Sequence, residues 1–246
     1  MKKISIPFAL ILAATQLQAQ TVTQGQSLQQ TFKAYTQTAF NDVTGSTGSR
    51  MSTLTINEST QGSAYLFGNW TSGKVTLNDG TVYLQSDSSL NFNKEKQQLT
   101  LKLSPIQGFD INSNSIRSFE LSQNGHPYKF VYFQSKSSDC FIEIFLDSSY
   151  GVYKTVHTKF YKADYENKGL YETGHKYDRY EDEVNYYIRT HAGNLIAINN
   201  VSKKKLKSLS SELPGIEEAV KNTTASPEED KDIFLTEVFT KLNHKK

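Results

Sequence analysis

The feature that most constrains this chain is an alternation of apolar and polar residues with a period of two, repeated in short runs between Arg50 and Asn199. The runs are rich in Val, Ile, Thr, Tyr and Phe, and clusters of Gly, Asn, Asp and Ser separate them. A period of two places alternate side chains on opposite faces of a strand, and closely spaced turn residues favour hairpins. The sequence therefore predicts an antiparallel meander sheet over residues 50–200.

The stretch KVTLNDGTVYLQ carries the clearest hairpin pattern. Its Asp79-Gly80 pair predicts a two-residue type I′ turn, because these residues tolerate the positive φ that the turn requires. That loop length would place Leu77 opposite Val82 and Val75 opposite Leu84, with all four apolar side chains on one face.

From Ser202 onward the apolar spacing becomes helical, and Pro214 is expected to divide the first part into two short helices. Ser226, Pro227 and Glu229 form a capping-box pattern that predicts the start of a final helix with one apolar stripe. Residues 201–246 are thus predicted to be a helical segment packed on the β domain. The expected fold class is α+β, mainly β: an antiparallel roll, sandwich or half-barrel followed by two or three C-terminal helices.

The first nineteen residues have the pattern of a secretory signal peptide: two lysines, a short apolar run and a small residue before the cut. Cleavage is predicted between Ala19 and Gln20. Residues 20–49 are predicted to be an N-terminal arm or a short helix. The mature chain has no long apolar run, so we expect an exported protein of the periplasm or the extracellular space, without a transmembrane segment.

The charge balance argues against a nucleic-acid partner. The chain has 27 basic and 25 acidic residues, and removal of Lys2 and Lys3 with the signal leaves 27 − 2 = 25 basic residues against 25 acidic ones. A nucleic-acid-binding protein usually carries a basic patch and a high isoelectric point.

Motifs for catalysis, metals and cofactors are not found in the sequence. The five histidines are scattered without ligand spacing, and neither a nucleophile elbow nor a phosphate-binding glycine loop occurs. Cys140 lies in the apolar run CFIEIFL, which predicts a buried and inert thiol. Glu143 in the same run could act as a general acid if buried alone, or could pair with a lysine such as Lys154 or Lys159. We expect no cofactor, no metal and no catalytic residue.

Three aromatic residues are the candidates for binding: Trp70, Tyr177 and Tyr180. Aromatic side chains offer a large apolar area together with a polar group, although they are also simply favoured in strands. The two tyrosines lie in HKYDRYEDEVNYYI, residues 175–188. The acidic first half of this stretch is predicted to be a solvated loop, and the second half, from Val184 onward, a strand.

A pattern that begins at Trp70 resembles small secreted proteins of Bacteroidetes-type bacteria, whose function is uncharacterised. It reads W-x-x-G-x-V, then Asp79-Gly80, then Asn91-Phe92-Asn93, and further along Tyr186-Tyr187-Ile188 and an acid-rich final helix. The likeness covers most of the mature chain in order. It implies a Gram-negative envelope or secreted location and assigns no site residue.

The expected function is that of an exported, non-enzymatic envelope or secreted protein that binds a partner or has a structural role. The partner would be an envelope protein, a glycan or a lipid. The alternative is a carrier of lipid or another apolar ligand, with a curved sheet closed by helices. A carbohydrate-active hydrolase, which needs two convergent carboxylates, is the third reading.

Overall fold

The computed structural model describes residues 50–53, 60–133, 139–167 and 171–243. Within these residues, eleven strands form one antiparallel sheet, two short strands form a separate hairpin, and three helices follow. The strands are β1 (Arg50–Thr53), β2 (Thr71–Leu77), β3 (Val82–Asn93), β4 (Gln98–Ser104), β5 (Gln107–Asp110), β6 (Ile116–Gln123), β7 (His126–Tyr132), β8 (Cys140–Leu146), β9 (Gly151–Tyr161), β10 (Glu166–Asn167), β11 (Glu172–Thr173), β12 (Arg179–Arg189) and β13 (Leu195–Ile198). The helices are α1 (Lys203–Lys207), α2 (Ile216–Lys221) and α3 (Lys231–Asn243).

This architecture confirms the predicted α+β, mainly β fold class, with an antiparallel sheet followed by C-terminal helices. The predicted signal peptide, residues 1–19, and the predicted arm, residues 20–49, lie outside the described residues. None of the described helices combines the length and the apolar character needed to cross a bilayer.

The strand order of the large sheet is β1-β5-β4-β3-β2-β6-β7-β8-β9-β12-β13. Strands β6 to β9 form an uninterrupted meander. Strand β12 follows β9 directly because β10 and β11 pair only with each other within the connection. Strand β2 joins the meander to the N-terminal strands, since it pairs with β3 on one side and with β6 on the other.

A bend in β3 turns this sheet into a roll. On β2, the pairing jumps from Gly73, opposite Gln85, to Thr71, opposite Leu90, so that four residues of β3 are skipped. Beyond the jump, β3 pairs with β4. A bulge bends its strand, and the β3–β4 hairpin folds back over the meander. Phe92 consequently packs on Phe130, which is not its ladder neighbour, at a ring separation of 5.3 Å.

One face of the sheet holds both hydrophobic cores, and we call it the inner face. The β3–β4 hairpin covers β2 and β6 to β8, and the helices cover β8, β9, β12 and β13. A single row of directly paired residues crosses both halves of this face: Val75, Phe119, Phe130, Ile142, Lys154, Tyr186 and Ile198.

Helix α3 docks through the apolar stripe that the sequence predicts. Its buried residues are Phe234, Leu235, Val238, Phe239 and Leu242. The predicted cap at Ser226 is wrong, because the carboxylate of Asp230 accepts the first free N–H groups of the helix, from Asp232 and Ile233, at 2.8 and 3.0 Å. Residues 227–229 form a turn ahead of the helix. The predicted division at Pro214 is confirmed, since α1 ends before it and α2 begins after it.

The predicted register of the β2–β3 hairpin is wrong by one residue. The loop has three residues, with Leu77 N–H donating to Thr81 O at 2.9 Å and Gly80 at a φ of +88°. This loop needs positive φ at the glycine alone, whereas a type I′ turn would impose it on Asp79 as well. Val75 therefore lies opposite Tyr83 rather than Leu84. Val75 is fully buried, and Leu84 is 59% exposed on the other face.

The prediction of a loop for the acidic half of residues 175–188 is confirmed for residues 175–178 and is wrong from Arg179 onward. Strand β12 begins at Arg179 and pairs with β9 without interruption, so that Glu181 faces Lys159 and Glu183 faces His157. Pairing with a long neighbouring strand places these polar residues in a ladder that their lack of apolar alternation does not predict. The acidic side chains remain exposed.

Gln97 fastens the tip of the β3–β4 hairpin between β8 and β9. Its amide NH₂ group donates to Val156 O at 2.9 Å and to Lys94 O at 2.6 Å, and its amide oxygen accepts from Cys140 N–H at 3.2 Å. The side chain thus takes the place of a ladder contact between Cys140 and Val156. Tyr132 adds a fourth contact by donating its hydroxyl to Gln97 O at 3.1 Å.

This arrangement predicts that Gln97→Glu lowers the free energy of unfolding by about 2 kcal/mol, because a carboxylate cannot donate to the two carbonyl oxygens and would lie buried against them. Urea unfolding measures the loss. Gln107→Glu is the matched control at an exposed position of β5, and it should stay within about 0.5 kcal/mol of the wild type. Equal stabilities for the two variants would contradict the role given to Gln97.

Candidate binding surface

The segment of residues 60–70 runs from strand β12 to strand β3 and forms backbone hydrogen bonds with both. Its first part pairs with β12, where Gln61 N–H donates to Asp178 O and Tyr180 N–H donates to Gln61 O, each at 2.8 Å. Its second part pairs with β3, where Leu66 N–H donates to Phe92 O at 2.9 Å. The segment therefore brings residues near Trp70 and residues near Tyr180 into one region.

Four aromatic side chains lie along this region, and we call them the aromatic track: Trp70, Tyr65, Tyr180 and Phe160. The rings of Trp70 and Tyr65 are 5.3 Å apart, and those of Tyr180 and Phe160 are 5.1 Å apart. The backbone between them links the two pairs, since Gly62 lies against Tyr180 and Tyr65, three residues further on, pairs with Asn93. The ammonium group of Lys102 lies 5.7 Å from the centre of the Trp70 ring.

Buried polar groups of β3, β4 and β5 support Tyr65. Asp110, which is 3% exposed, accepts from the Thr100 hydroxyl at 2.7 Å and from the Lys96 ammonium at 2.6 Å. Tyr65 forms hydrogen bonds with Thr100 and Asn93. Burial, and next the negative charge of Asp110, raise the pKa of Tyr65, so that its hydroxyl stays protonated and able to donate.

Tyr180 lies at the other end of the track, beside the tip of the β3–β4 hairpin. Burial, and next the charge of Glu95, raise the pKa of its hydroxyl. Two residues further along β12, Asp182 binds the ammonium of Lys94 through both carboxylate oxygens at 2.7 Å. This ion pair joins β12 to the hairpin and holds Tyr180 in position.

The structure thus places two of the three predicted binding residues on one surface. Tyr177 is 51% exposed and lies in the connection before β12, outside the aromatic track. Sequence reasoning missed Tyr65 and Phe160. Tyr65 precedes Trp70 closely in QGSAYLFGNW, so the density of aromatic residues there was a usable signal. Phe160 reaches Tyr180 only through the β9–β12 pairing, which no local pattern reveals.

A concave region also lies on the inner face, between the part that the β3–β4 hairpin covers and the part that the helices cover. This groove has a volume of about 530 Å³ and separates the β6–β7 turn from helix α3. Its apolar lining includes Tyr128, Ile142, Ile144 and Ile233. Beside it, Asp232 accepts from the Tyr186 hydroxyl at 3.0 Å and from the Lys154 ammonium.

The side chains considered for catalysis are engaged in structural contacts. Glu143 pairs with Lys129 at 3.1 Å, rather than with Lys154 or Lys159. Cys140 is fully buried, and burial raises the pKa of its thiol well above the usual range, which keeps the sulfur protonated. His157 lies 3.6 Å from Asp139, and His191 contacts Ser148 O. Within the described ranges, no group of three or more His, Cys, Asp or Glu side chains could hold a metal ion.

Comparison with known proteins identifies no relative: no protein-family model, no curated protein and no solved structure matches this chain. The resemblance to secreted Bacteroidetes proteins therefore remains a prediction, and the site has to be interpreted from its own geometry.

The track predicts a spectroscopic response, because Trp70 is the only tryptophan of the sequence. Tyr65→Ala removes the ring that covers it, so the Trp70 fluorescence should move to longer wavelength. The free energy of unfolding should fall by about 2 kcal/mol. Phe160→Ala, at the far end of the track, is the control and should leave the emission unchanged. Identical spectra for all three proteins would show that Tyr65 does not cover Trp70.

Proposed function

We propose that this protein is an exported, non-enzymatic binding protein of the bacterial envelope or extracellular space, and that the aromatic track contacts its partner. The observation that carries the proposal is the convergence of Trp70, Tyr65, Tyr180 and Phe160 from distant parts of the chain, through two ring pairs that the segment around Gly62 joins. The signal-peptide pattern at the N-terminus supports export.

The aromatic track suits recognition because its rings are already held in place. Tyr65 is supported by the buried Thr100 and Asp110 side chains, and the Asp182–Lys94 pair anchors the strand that carries Tyr180. A surface that is ordered before binding loses less conformational entropy when the partner arrives. Tyrosine and tryptophan also combine apolar contact area with hydrogen-bonding groups.

A binding role also fits the state of the reactive groups. The carboxylate of Glu143 is neutralised by Lys129, and the thiol of Cys140 is buried and protonated. Neither arrangement resembles an activated acid or nucleophile, because the carboxylate is held in an ion pair and the thiol is shielded from substrate.

Export has a direct test. The full chain, expressed in a Gram-negative host, should be recovered from the periplasm or the medium. Mass spectrometry of that protein should give a mature chain that begins at Gln20. Recovery of the intact chain from the cytoplasm alone would contradict export.

Binding can be followed with Trp70 itself. The mature protein is titrated with soluble peptidoglycan fragments, with phosphatidylethanolamine vesicles and with short extended peptides. We expect one of these classes to change the Trp70 emission in a saturable manner and to be recovered chemically unchanged. Tyr180→Ala should weaken that binding by about tenfold or more, since the loss of an aromatic anchor costs upwards of 1.4 kcal/mol.

The control is Tyr177→Ala, which removes an exposed tyrosine outside the track and should leave the affinity unchanged. Absence of a response to all three classes, or equal effects of the two substitutions, would contradict a binding role for the track. Cleavage of the bound compound would contradict the non-enzymatic assignment.

The groove favours one alternative, a carrier for an apolar ligand. Its volume is in the range of small-molecule sites, and Ile142 and Ile144 belong to its apolar lining. Most of the inner face, however, is filled by the packed side chains of the two cores. Native mass spectrometry separates the two functions, because a lipid that leaves with the mature protein would favour the carrier over the aromatic track.

A further inference from the structure

Among the described residues, strand β12 has an open edge between two paired stretches. On one side it pairs with β9 along its whole length. On the other side, Gln61 pairs with its first residues and β13 pairs with Tyr186 to Arg189. Residues 181–185 lie between these contacts, and we call their free side the edge window.

The direction of the backbone groups in the edge window follows from its neighbours. Tyr180 N–H donates to Gln61 O, and Thr190 N–H donates to Asn194 O, so the even-numbered residues direct their backbone groups away from β9. In an antiparallel pair these groups alternate along the strand. Asp182 and Val184 therefore present N–H and C=O groups outward, and no backbone group of the described residues pairs with them there.

The edge window is too narrow for a second copy of the protein. Gln61 closes one end of it, and β13 closes the other end at Ile198. An identical edge on another molecule would carry the same flanking segments, which would collide before the strands could pair. A single extended chain of about five residues fits, since five residues span roughly 17 Å in a strand.

The side chains of β12 at the edge window indicate which residues the added peptide should carry. Glu181 and Glu183 extend from one face of β12, and both are exposed. Their cationic partners, Arg179 and Lys159, leave carboxylate surface at the edge, and Lys159 is 3.7 Å from Glu183. On the other face, Val184 is 43% exposed. Opposite charges across paired strands stabilise the pairing, and apolar residues pair favourably with each other.

We propose that the edge window binds an extended peptide segment of a partner protein by adding it as a strand, with basic residues opposite Glu181 and Glu183 and an apolar residue opposite Val184. Strand addition obtains affinity from main-chain hydrogen bonds and specificity from alternate side chains. The edge window starts next to Tyr180, so the inference rests on the proposed function and names the class of its partner.

The probe is the capped peptide acetyl-SVKTK-amide, which pairs antiparallel to residues 181–185 with its valine opposite Val184 and its lysines opposite both glutamates. We expect it to slow hydrogen exchange of the Asp182 and Val184 amides in the mature protein, as measured by NMR. The same peptide methylated on the nitrogen of its threonine keeps every side chain but loses a donor, and should bind about tenfold more weakly. The acidic peptide acetyl-SVETE-amide should not bind.

The protein variant is Val184→Pro, which deletes an outward N–H that β9 does not use. It should weaken binding of the peptide by about tenfold. Val184→Ile keeps both the N–H and an apolar branched side chain, and should retain most of the binding. Near-UV circular dichroism checks the fold of both variants. If the proline variant does not fold, the methylated peptide decides the question.

Several results would overturn the inference: no protection of the two amides at millimolar peptide, equal binding of the methylated or acidic peptide, or unchanged binding to folded Val184→Pro. Protection that appears without peptide and grows with protein concentration would mean pairing between copies, which also overturns it. If other ligands change the Trp70 emission but the peptide does not protect the edge window, the peptide inference is wrong and the role of the aromatic track stands. Edge protection together with no Trp70 response to any ligand overturns the role of the aromatic track.

Discussion

The packing of the β3–β4 hairpin against the inner face of the meander is the interaction on which the rest of the structure depends. Phe92 lies against Phe119 and Phe130 and closes the roll. Only in this folded arrangement can Gln97 reach β8 and β9, and only then does Lys94 meet Asp182. The aromatic track is a product of the same closure, because residues 60–70 connect β12 to the strand that has folded back.

Two different structural elements, a β-hairpin and a group of helices, pack on the inner face. The hairpin covers one half with strand residues, and the helices cover the other half with the stripe of α3. Lys154 lies between the two cores in the same row and pairs with Asp232. A polar residue in an apolar row is tolerated because Asp232 pairs with it, and the Tyr186 hydroxyl donates to the same carboxylate. The groove follows this polar seam, whereas the aromatic track and the edge window lie at the opposite, more polar end of β12.

Local patterns predicted the elements well wherever packing followed the alternation of the chain. The meander strands, the division at Pro214 and the stripe of α3 all appear as expected. The failures came where a competing contact decided the outcome. A three-residue loop with a single left-handed glycine replaced the type I′ turn at Gly80, and Asp230 rather than Ser226 capped α3. The acidic half of β12 became a strand because β9 offered it a complete ladder.

The sequence by itself determined the mainly antiparallel sheet with C-terminal helices, because alternation and helical spacing are local properties. It also indicated that Trp70 and Tyr180 were candidates for binding. Only the tertiary structure decided that they share one surface, since their proximity needs the bend of β3 and the bridging segment around Gln61. It also decided which backbone groups of β12 remain open. Such features depend on which distant strands meet, and no short-range pattern of residues carries that information.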